Sequence, residues 1–184
     1  MMSMTERCAW AAKSTQLLLY HDLEWGVPTR DERQLFENLS LEIFQAGLNW
    51  QLVLSYRPAL REALYDFDPE RLALLTREQL EALYGNETII RNHQKIDAIV
   101  TNAKVLVALH DLDWSFSEAV WANAVLLRQV HEADVVARFN ADLVHTLSHL
   151  GFKRIGLKSC YAFLQASGVV NDHDTGCYRR AELL

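Results

Sequence analysis

An all-α protein is the fold class this sequence predicts, and three observations carry the prediction. Apolar residues recur at three- and four-residue spacing along several segments, as one face of a helix requires. No stretch shows sustained alternation bounded by turn signals, so no strand is expected. Only three prolines and seven glycines interrupt 184 residues, half of them hydrophobic, which suits long helices and argues against disorder. The chain is long enough for one ample core, or for two small lobes sharing one. With no repeat, low-complexity tract or linker, a single domain over 1–184 is expected.

The segment before Val27 reads as irregular, though rich in aromatics: Trp10, Tyr20 and Trp25. Thr29 and Glu32 have capping-box spacing and place the first long helix at 30–47. A second helix follows Trp50 and should stop or kink before Pro58, which can open a short helix through Tyr65. Asp68-Pro69 reads as an N-cap and first helical residue, and Thr76 with Gln79 as a second capping box, its helix stopping at Gly85. A long amphipathic helix covers 92–109, with Ile96, Ile99, Val100, Ala103, Leu106 and Val107 as its apolar face. Ser115 and Glu118 open a short helix through Trp121. Residues 124–139 fit a loop or an additional helix. Asn140 is expected to cap a helix to Leu150, and the last helix runs from Leu157 to Ser167 with Gly168 past its end.

The net charge of −6 gives no general attraction to nucleic acid or acidic membranes, although a local basic patch suffices to touch phosphate. No apolar run has membrane-spanning length and the start lacks a signal-peptide core, so a cytoplasmic protein is expected. Three cysteines make a disulfide framework unsuitable. Cys160 fits a small core residue, whereas Cys8 and Cys177 near opposite ends suggest termini that meet.

The stretch from Leu41 to Trp50 is the most informative. With Leu35 at zero and about 100° per residue, Leu39, Ile43 and Ala46 fall within about 80°, on one apolar stripe. Glu42 falls about 20° to the other side, on the same stripe. A carboxylate facing the protein interior needs a partner, a proton or a ligand. Either a pocket wall or a paired core glutamate satisfies that pattern.

Three constellations can carry chemistry. Cys8 with His21, and His173 with Cys177, together form the ligand complement of a closed tetrahedral zinc site. By spacing alone, unrelated cysteines and surface histidines are the simpler reading. If metal binds, four protein ligands leave no open position, and the site is structural. The second constellation is 147–161, two helices joined by a turn bounded by Gly151 and Gly156, with Lys153, Arg154 and Lys158 against the acidic average. Outward amides at such a turn suit a DNA phosphate; the plain alternative is a helical hairpin with solvated lysines. The third is Trp10, Tyr20 and Trp50 with Glu42. If they converge, flat π faces and one anionic acceptor favour a planar, electron-poor or cationic heterocycle.

Taken together, these residues resemble the 3-methyladenine DNA glycosylase I family of the helix–hairpin–helix glycosylase superfamily. The likeness runs from Glu6-Arg7-Cys8-Ala9-Trp10 through Tyr20-His21-Asp22, Glu24-Trp25-Gly26-Val27-Pro28 and Leu41-Glu42. It continues through Gln45-Ala46-Gly47-Leu48-Asn49-Trp50, Ile89-Ile90-Arg91-Asn92-His93, Lys95-Ile96, Gly151-Phe152-Lys153 and Asn171-Asp172-His173 to Cys177. The resemblance implies two helical lobes with the damaged base between them. It also implies one structural zinc on Cys8, His21, His173 and Cys177, which reverses the reading from spacing. Trp10, Tyr20, Glu42 and Trp50 match the family's base pocket, and Gly151, Lys153, Gly156 and Lys158 would grip DNA phosphates. Where the family usually carries glycine after the pocket glutamate, this chain has Ile43, a side chain expected to narrow the pocket or shift the helix.

The implied partner is double-stranded DNA containing alkylated bases, and the implied reaction is hydrolysis of the N-glycosidic bond of 3-methyladenine after base flipping, by a monomer without strand cleavage. N3-methylation makes the base cationic and a good leaving group, so Glu42 is the expected catalytic residue through recognition of that charge rather than as a strong acid. Asp172 and Asp174, flanking His173, are expected to orient the metal site. A catalytically silent DNA- or base-binding protein, and a metallohydrolase with an open zinc, are the rival readings.

Overall fold

The computed structural model describes residues 6–122 and 133–183, and every regular element among them is helical. A 3-10 turn at Ala9–Lys13 leads into α1, Thr15–Leu23, capped by Ser14, whose side chain accepts from the Leu17 amide. This segment was expected to be irregular. α1 carries apolar residues around most of its circumference, so no 3.6-residue stripe betrays it; burial of Leu17, Tyr20 and His21 holds it.

α2, Glu32–Gln45, is the central helix, packed against neighbours on several sides. Its N-cap is Asp31, accepting from the Gln34 amide at 2.7 Å, and not Thr29, whose hydroxyl accepts from the Asp31 amide instead. Glu32 is diverted from capping to His110 Nε2, Ser115 Oγ and the Ser117 amide. α3, Trp50–Ala63, runs straight through Pro58, contrary to the expected stop. Pro58 removes one helical hydrogen bond. Burial of Val53, Leu54 and Leu60, and ion pairs from Arg57 and Arg61 to Glu37, offset that loss.

Three consecutive residues with positive φ, Tyr65 to Phe67, turn the chain into α4, Pro69–Ala73, with Asp68 as its cap. α5, Arg77–Gly85, opens on the Thr76/Gln79 capping box. α6, His93–His110, buries Ile96, Ile99, Ala103 and Leu106 against α2 and α4, and α7, Phe116–Trp121, begins on its Ser115 cap. Of the ambiguous 124–139, residues 124–132 lie outside the described residues, and 133–139 belong to α8, Ala133–His149. Asn140 is therefore mid-helix and caps nothing. Its Nδ2 donates 2.9 Å to the Leu157 carbonyl, tying α8 to the start of α9, Leu157–Ala166. A short α10, Tyr178–Glu182, follows Cys177.

The main core joins Leu35, Phe36, Leu39, Ile43 and Phe44 of α2 to Phe67, Phe116 and Phe163, with the Phe116 and Phe163 rings stacked at 5.9 Å. A smaller cluster of Leu17, Tyr20 and Leu54 lies beside it, fringed by Trp10, Trp25 and Trp50. Gly168, at φ +72, brings the chain back against Pro28: a Cβ there would lie 2.5 Å from the Pro28 nitrogen. No helix among the described residues is long and apolar enough to cross a membrane.

Candidate active site and metal cluster

Five elements converge on a cavity of about 370 Å³ at the C-terminal end of α2. The N-terminal turn brings Trp10 and Lys13, α1 brings Tyr20, α2 brings Glu42 and Gln45, and α9 brings Ala162 and Gln165. Trp50 arrives as the first residue of α3, whose cap Asn49 accepts from the Leu52 amide at 2.8 Å. Tyr20 lies 5.3 Å from Trp50 and 6.4 Å from Trp10, centroid to centroid, so three rings and one carboxyl group share one space.

Glu42 is only 4 % exposed, and its Oε2 meets no donor among the described residues. Burial alone pushes its pKa up to about 8. The Trp50 indole N–H is likewise buried without an acceptor. Tyr20 is held well above its ordinary pKa, by burial first and by Glu42 second. The cavity therefore presents an acceptor and a donor that its own walls leave unsatisfied. Ile43, expected to narrow this space, is in the main core at 1 % exposure and does not line it. A turn of 100° per residue separates neighbouring side chains, and Ile43 follows Leu39 rather than Glu42. Ala46, placed on the stripe by periodicity, is exposed because the helix ends at Gln45.

Lys95 secures that helix end. Its ammonium donates 2.6 Å to both the Phe44 and Ala46 carbonyls, where the helix dipole favours a cation. Gly47, at φ +83, then turns the chain toward Trp50.

A groove runs from Glu42 and Gln45 past Gly47 and Leu48 to Gly156, Lys158 and Ser159 at the start of α9. Lys153 and Lys158 expose their side chains, and Gly151 and Arg154 take positive φ in the turn between α8 and α9. Four turn amides are already committed: Gly151 N–H to the Ser148 carbonyl at 3.2 Å, Phe152 N–H to the Leu147 carbonyl at 3.0 Å, Lys153 N–H to Asn102 Oδ1 at 2.6 Å, and Gly156 N–H to Ser159 Oγ at 3.1 Å. The outward-facing resources of this turn are its lysines and the open N-terminus of α9.

Behind the aromatic wall, Cys8, His21, His173 and Cys177 are all buried, with their ligand atoms within 4.8 Å of one another. His21 Nε2 lies 3.2 Å from His173 Nδ1 and 3.3 Å from Cys177 Sγ, and Cys8 Sγ lies 3.5 Å from His173 Nδ1. The other ring nitrogens are oriented from outside: His21 Nδ1 bonds Asp22 at 2.8 Å, and His173 Nε2 the Trp25 carbonyl at 3.3 Å. Arg7 in turn clamps Asp22 through three contacts of 2.9–3.0 Å. Burial, with His21 second, holds the His173 imidazole down to about 4, so it stays neutral with a lone pair to offer. Burial pushes the Cys8 thiol up to about 12. Asp174 faces this cluster as expected: its carboxylate accepts from Ala9 N–H, and its own amide donates to Cys8 Sγ. Asp172 does not. It turns outward to Tyr161 and Gln165.

The sequence model of the methyladenine glycosylase family matches residues 10–180, spanning both the cavity and the turn. The chain belongs to the methyladenine glycosylase family. It is 37 % identical over 180 residues to the DNA-3-methyladenine glycosylase of Haemophilus influenzae, covering 95 % of this chain and 97 % of that protein. A crystal structure of a 3-methyladenine DNA glycosylase I superposes with a TM-score of 0.85 at 40 % identity, covering 94 % of this chain and 98 % of the other. A tyrosine-to-phenylalanine variant of 3-methyladenine DNA glycosylase I, solved in complex with 3-methyladenine, gives 0.83 at 31 % identity, covering 95 % and 97 %.

Sequence reasoning missed Gln45, Lys13 and Gln165 in the cavity and Trp25 as its link to the cluster. Gln45 was within reach, three residues after Glu42 and so on the same helical face. Gln165 carries no local signal, because only the packing of α9 on α2 brings it to the cavity.

Proposed function

We propose that this protein is a DNA glycosylase that hydrolyses the N-glycosidic bond of 3-methyladenine in double-stranded DNA, acting as a single-domain monomer in the cytoplasm. The observation that carries the reading is Glu42: a buried carboxyl group without a hydrogen-bond partner among the described residues, facing a cavity walled by Trp10, Tyr20 and Trp50. A base flipped out of the stack, at a cost of about a few kcal/mol, fits such a space. The rings stack on its faces, and stacking favours a cationic base over neutral adenine. Glu42 accepts a hydrogen bond from the exocyclic amine and opposes the positive charge. Arrival of that charge draws the Glu42 pKa down from about 8, so binding releases a proton near neutral pH. The base leaves as a neutral molecule once the glycosidic bond breaks, and water completes the hydrolysis without strand cleavage.

The α8–turn–α9 unit is read as the helix–hairpin–helix that holds DNA, through the side chains of Lys153 and Lys158 and the open N-terminus of α9 beyond Gly156, with Gly151 shaping the turn. The groove joining Lys158 to Glu42 supports that placement. Cys8, His21, His173 and Cys177 suit one zinc. For a tetrahedron with Zn–N of about 2.0 Å and Zn–S of about 2.3 Å, the N···N edge is about 3.3 Å and the N···S edge about 3.5 Å. The corresponding spacings here are 3.2 Å and 3.3–3.6 Å. Zinc held by four protein atoms supplies a structural clip, not an activated water, and it would join the N-terminal turn to the segment before α10.

Methylated duplex DNA incubated with the purified protein should release free 3-methyladenine, and Glu42→Gln should slow release by about 10- to 100-fold. DNA binding with no base release by the wild type would instead identify a silent binder. Elemental analysis should find one zinc per chain, and Cys177→Ser should lose it together with thermal stability.

A further inference from the structure

Two buried polar residues of α6, Lys95 and Asn102, hold two different parts of the molecule. They are about two helical turns, or roughly 10 Å, apart along the axis and share one face of the helix. Lys95 holds the end of α2 beside the base cavity, by donating to the Phe44 and Ala46 carbonyls. Asn102 holds the turn between α8 and α9. Its Oδ1 accepts from Lys153 N–H at 2.6 Å, and its Nδ2 donates to the Lys153 carbonyl at 3.2 Å. A side-chain amide has its acceptor and its donor on separate arms, so it engages both backbone groups of one residue. Phe152 and Ile155 bury their side chains on either side, while Lys153 and Arg154 expose theirs. Arg154, at φ +59, returns to α6 as well, donating from Nη1 to Gln94 Oε1 at 3.0 Å.

We propose that Asn102 is a positioning residue for duplex DNA binding: its two bonds to the Lys153 backbone fix the turn between α8 and α9 on α6, at a set distance from the end of α2 that lines the base cavity. The inference rests on the proposed function, in which that turn holds DNA phosphate. At 1 % exposure Asn102 touches neither DNA nor base, so it acts through the turn. A base flipped from a held duplex reaches the cavity only when the grip and the cavity keep their spacing, and α6 carries an anchor of each. Without Asn102 the exposed Lys153 backbone turns to water and the grip loosens. Lys95 still holds the end of α2, so the cavity keeps its shape for a free base.

Asn102→Leu keeps the side-chain volume and removes both bonds. Two affinities of the full-length, zinc-supplemented protein separate positioning from general loosening: for a duplex carrying a tetrahydrofuran abasic site, and for free 3-methyladenine, read by tryptophan fluorescence. Asn102→Leu should weaken duplex binding by about tenfold and leave free-base binding within about twofold of the wild type. An equal loss of both affinities would mark a general structural role and overturn the inference. Should Asn102→Leu not fold, hydrogen exchange of the wild type carries the test. The Lys153 amide should exchange at least about tenfold more slowly than an unbonded turn amide, and exchange at the unbonded rate overturns the inference. Unchanged duplex affinity in Asn102→Leu, with 3-methyladenine still released from methylated DNA, overturns the inference and leaves the proposed function standing. A wild type that neither binds the duplex nor releases the base overturns both.

Discussion

Two glutamates on α2 share the same burial and have opposite fates. Glu37 and Glu42 are each 4 % exposed, five residues apart. Around Glu37 the fold supplies two guanidinium groups: Arg57 Nε at 2.8 Å, and Arg61 at 2.7 and 2.9 Å, with Arg57 also reaching Glu24. Those partners outweigh the opposing burial cost and hold its pKa below the usual carboxylate range. Around Glu42 it supplies aromatic rings and a cavity, and the pKa rises to about 8. Burial alone does not mark a functional carboxylate; burial without a protein partner does, because the missing partner must come from a ligand.

The largest expected effect falls on the paired side. Glu37→Gln leaves Arg57 and Arg61 without their counter-charge and should lower unfolding free energy by about 3 kcal/mol at pH 7, read from urea denaturation. A loss below about 1 kcal/mol would mean that the network is replaceable and the contrast is weaker than the geometry indicates.

On the other side the sign reverses. Glu42 has a folded pKa above its unfolded value of about 4.3, so the folded state holds a proton that the unfolded state releases in the intervening window. Its contribution is fully present below about pH 4 and is lost as pH rises through 8. Glu42→Gln should match the wild type below about pH 4 and exceed its stability by roughly 2–4 kcal/mol at pH 9. Glu37, with a depressed pKa, contributes above about pH 4 and is lost as acid protonates it. Stability–pH profiles of the two variants should therefore depart from the wild type in opposite directions as pH rises, Glu37→Gln below it and Glu42→Gln above it, and approach it in acid. Parallel profiles would show that a shared packing effect dominates.

Exposed charges provide the smallest effect. Lys158→Ala should change stability by less than about 0.5 kcal/mol. It should also reduce the slope of log DNA affinity against log salt by about one. An unchanged slope would remove Lys158 from the phosphate-contacting set.

Local chemistry explains what could be seen in advance. The caps at Asp68, Thr76 and Ser115 and the helix after Asn92 are nearest-neighbour patterns and are present as read. Where a local rule failed, a distant group had displaced it. Glu32 left the capping box for His110 and Ser115, and Pro58 was carried through α3 by Arg57 and Arg61 on Glu37. Asn140 gave up a cap to hold the start of α9.

By itself, the sequence determined that the protein is helical, where most of its helices start, and which residue types could bind a cationic base, a phosphate or zinc. All of these depend on spacing within a few residues. Packing in three dimensions brought Cys8 to Cys177, and Trp10, Glu42 and Gln165 to one cavity, and left Glu42 with no partner among the described residues where Glu37 has two. Hydration, charge pairing and pKa depend on which side chains lie within a few ångströms in space, and the packing of α3 and α9 on α2, with α1 on α3, fixes those neighbours.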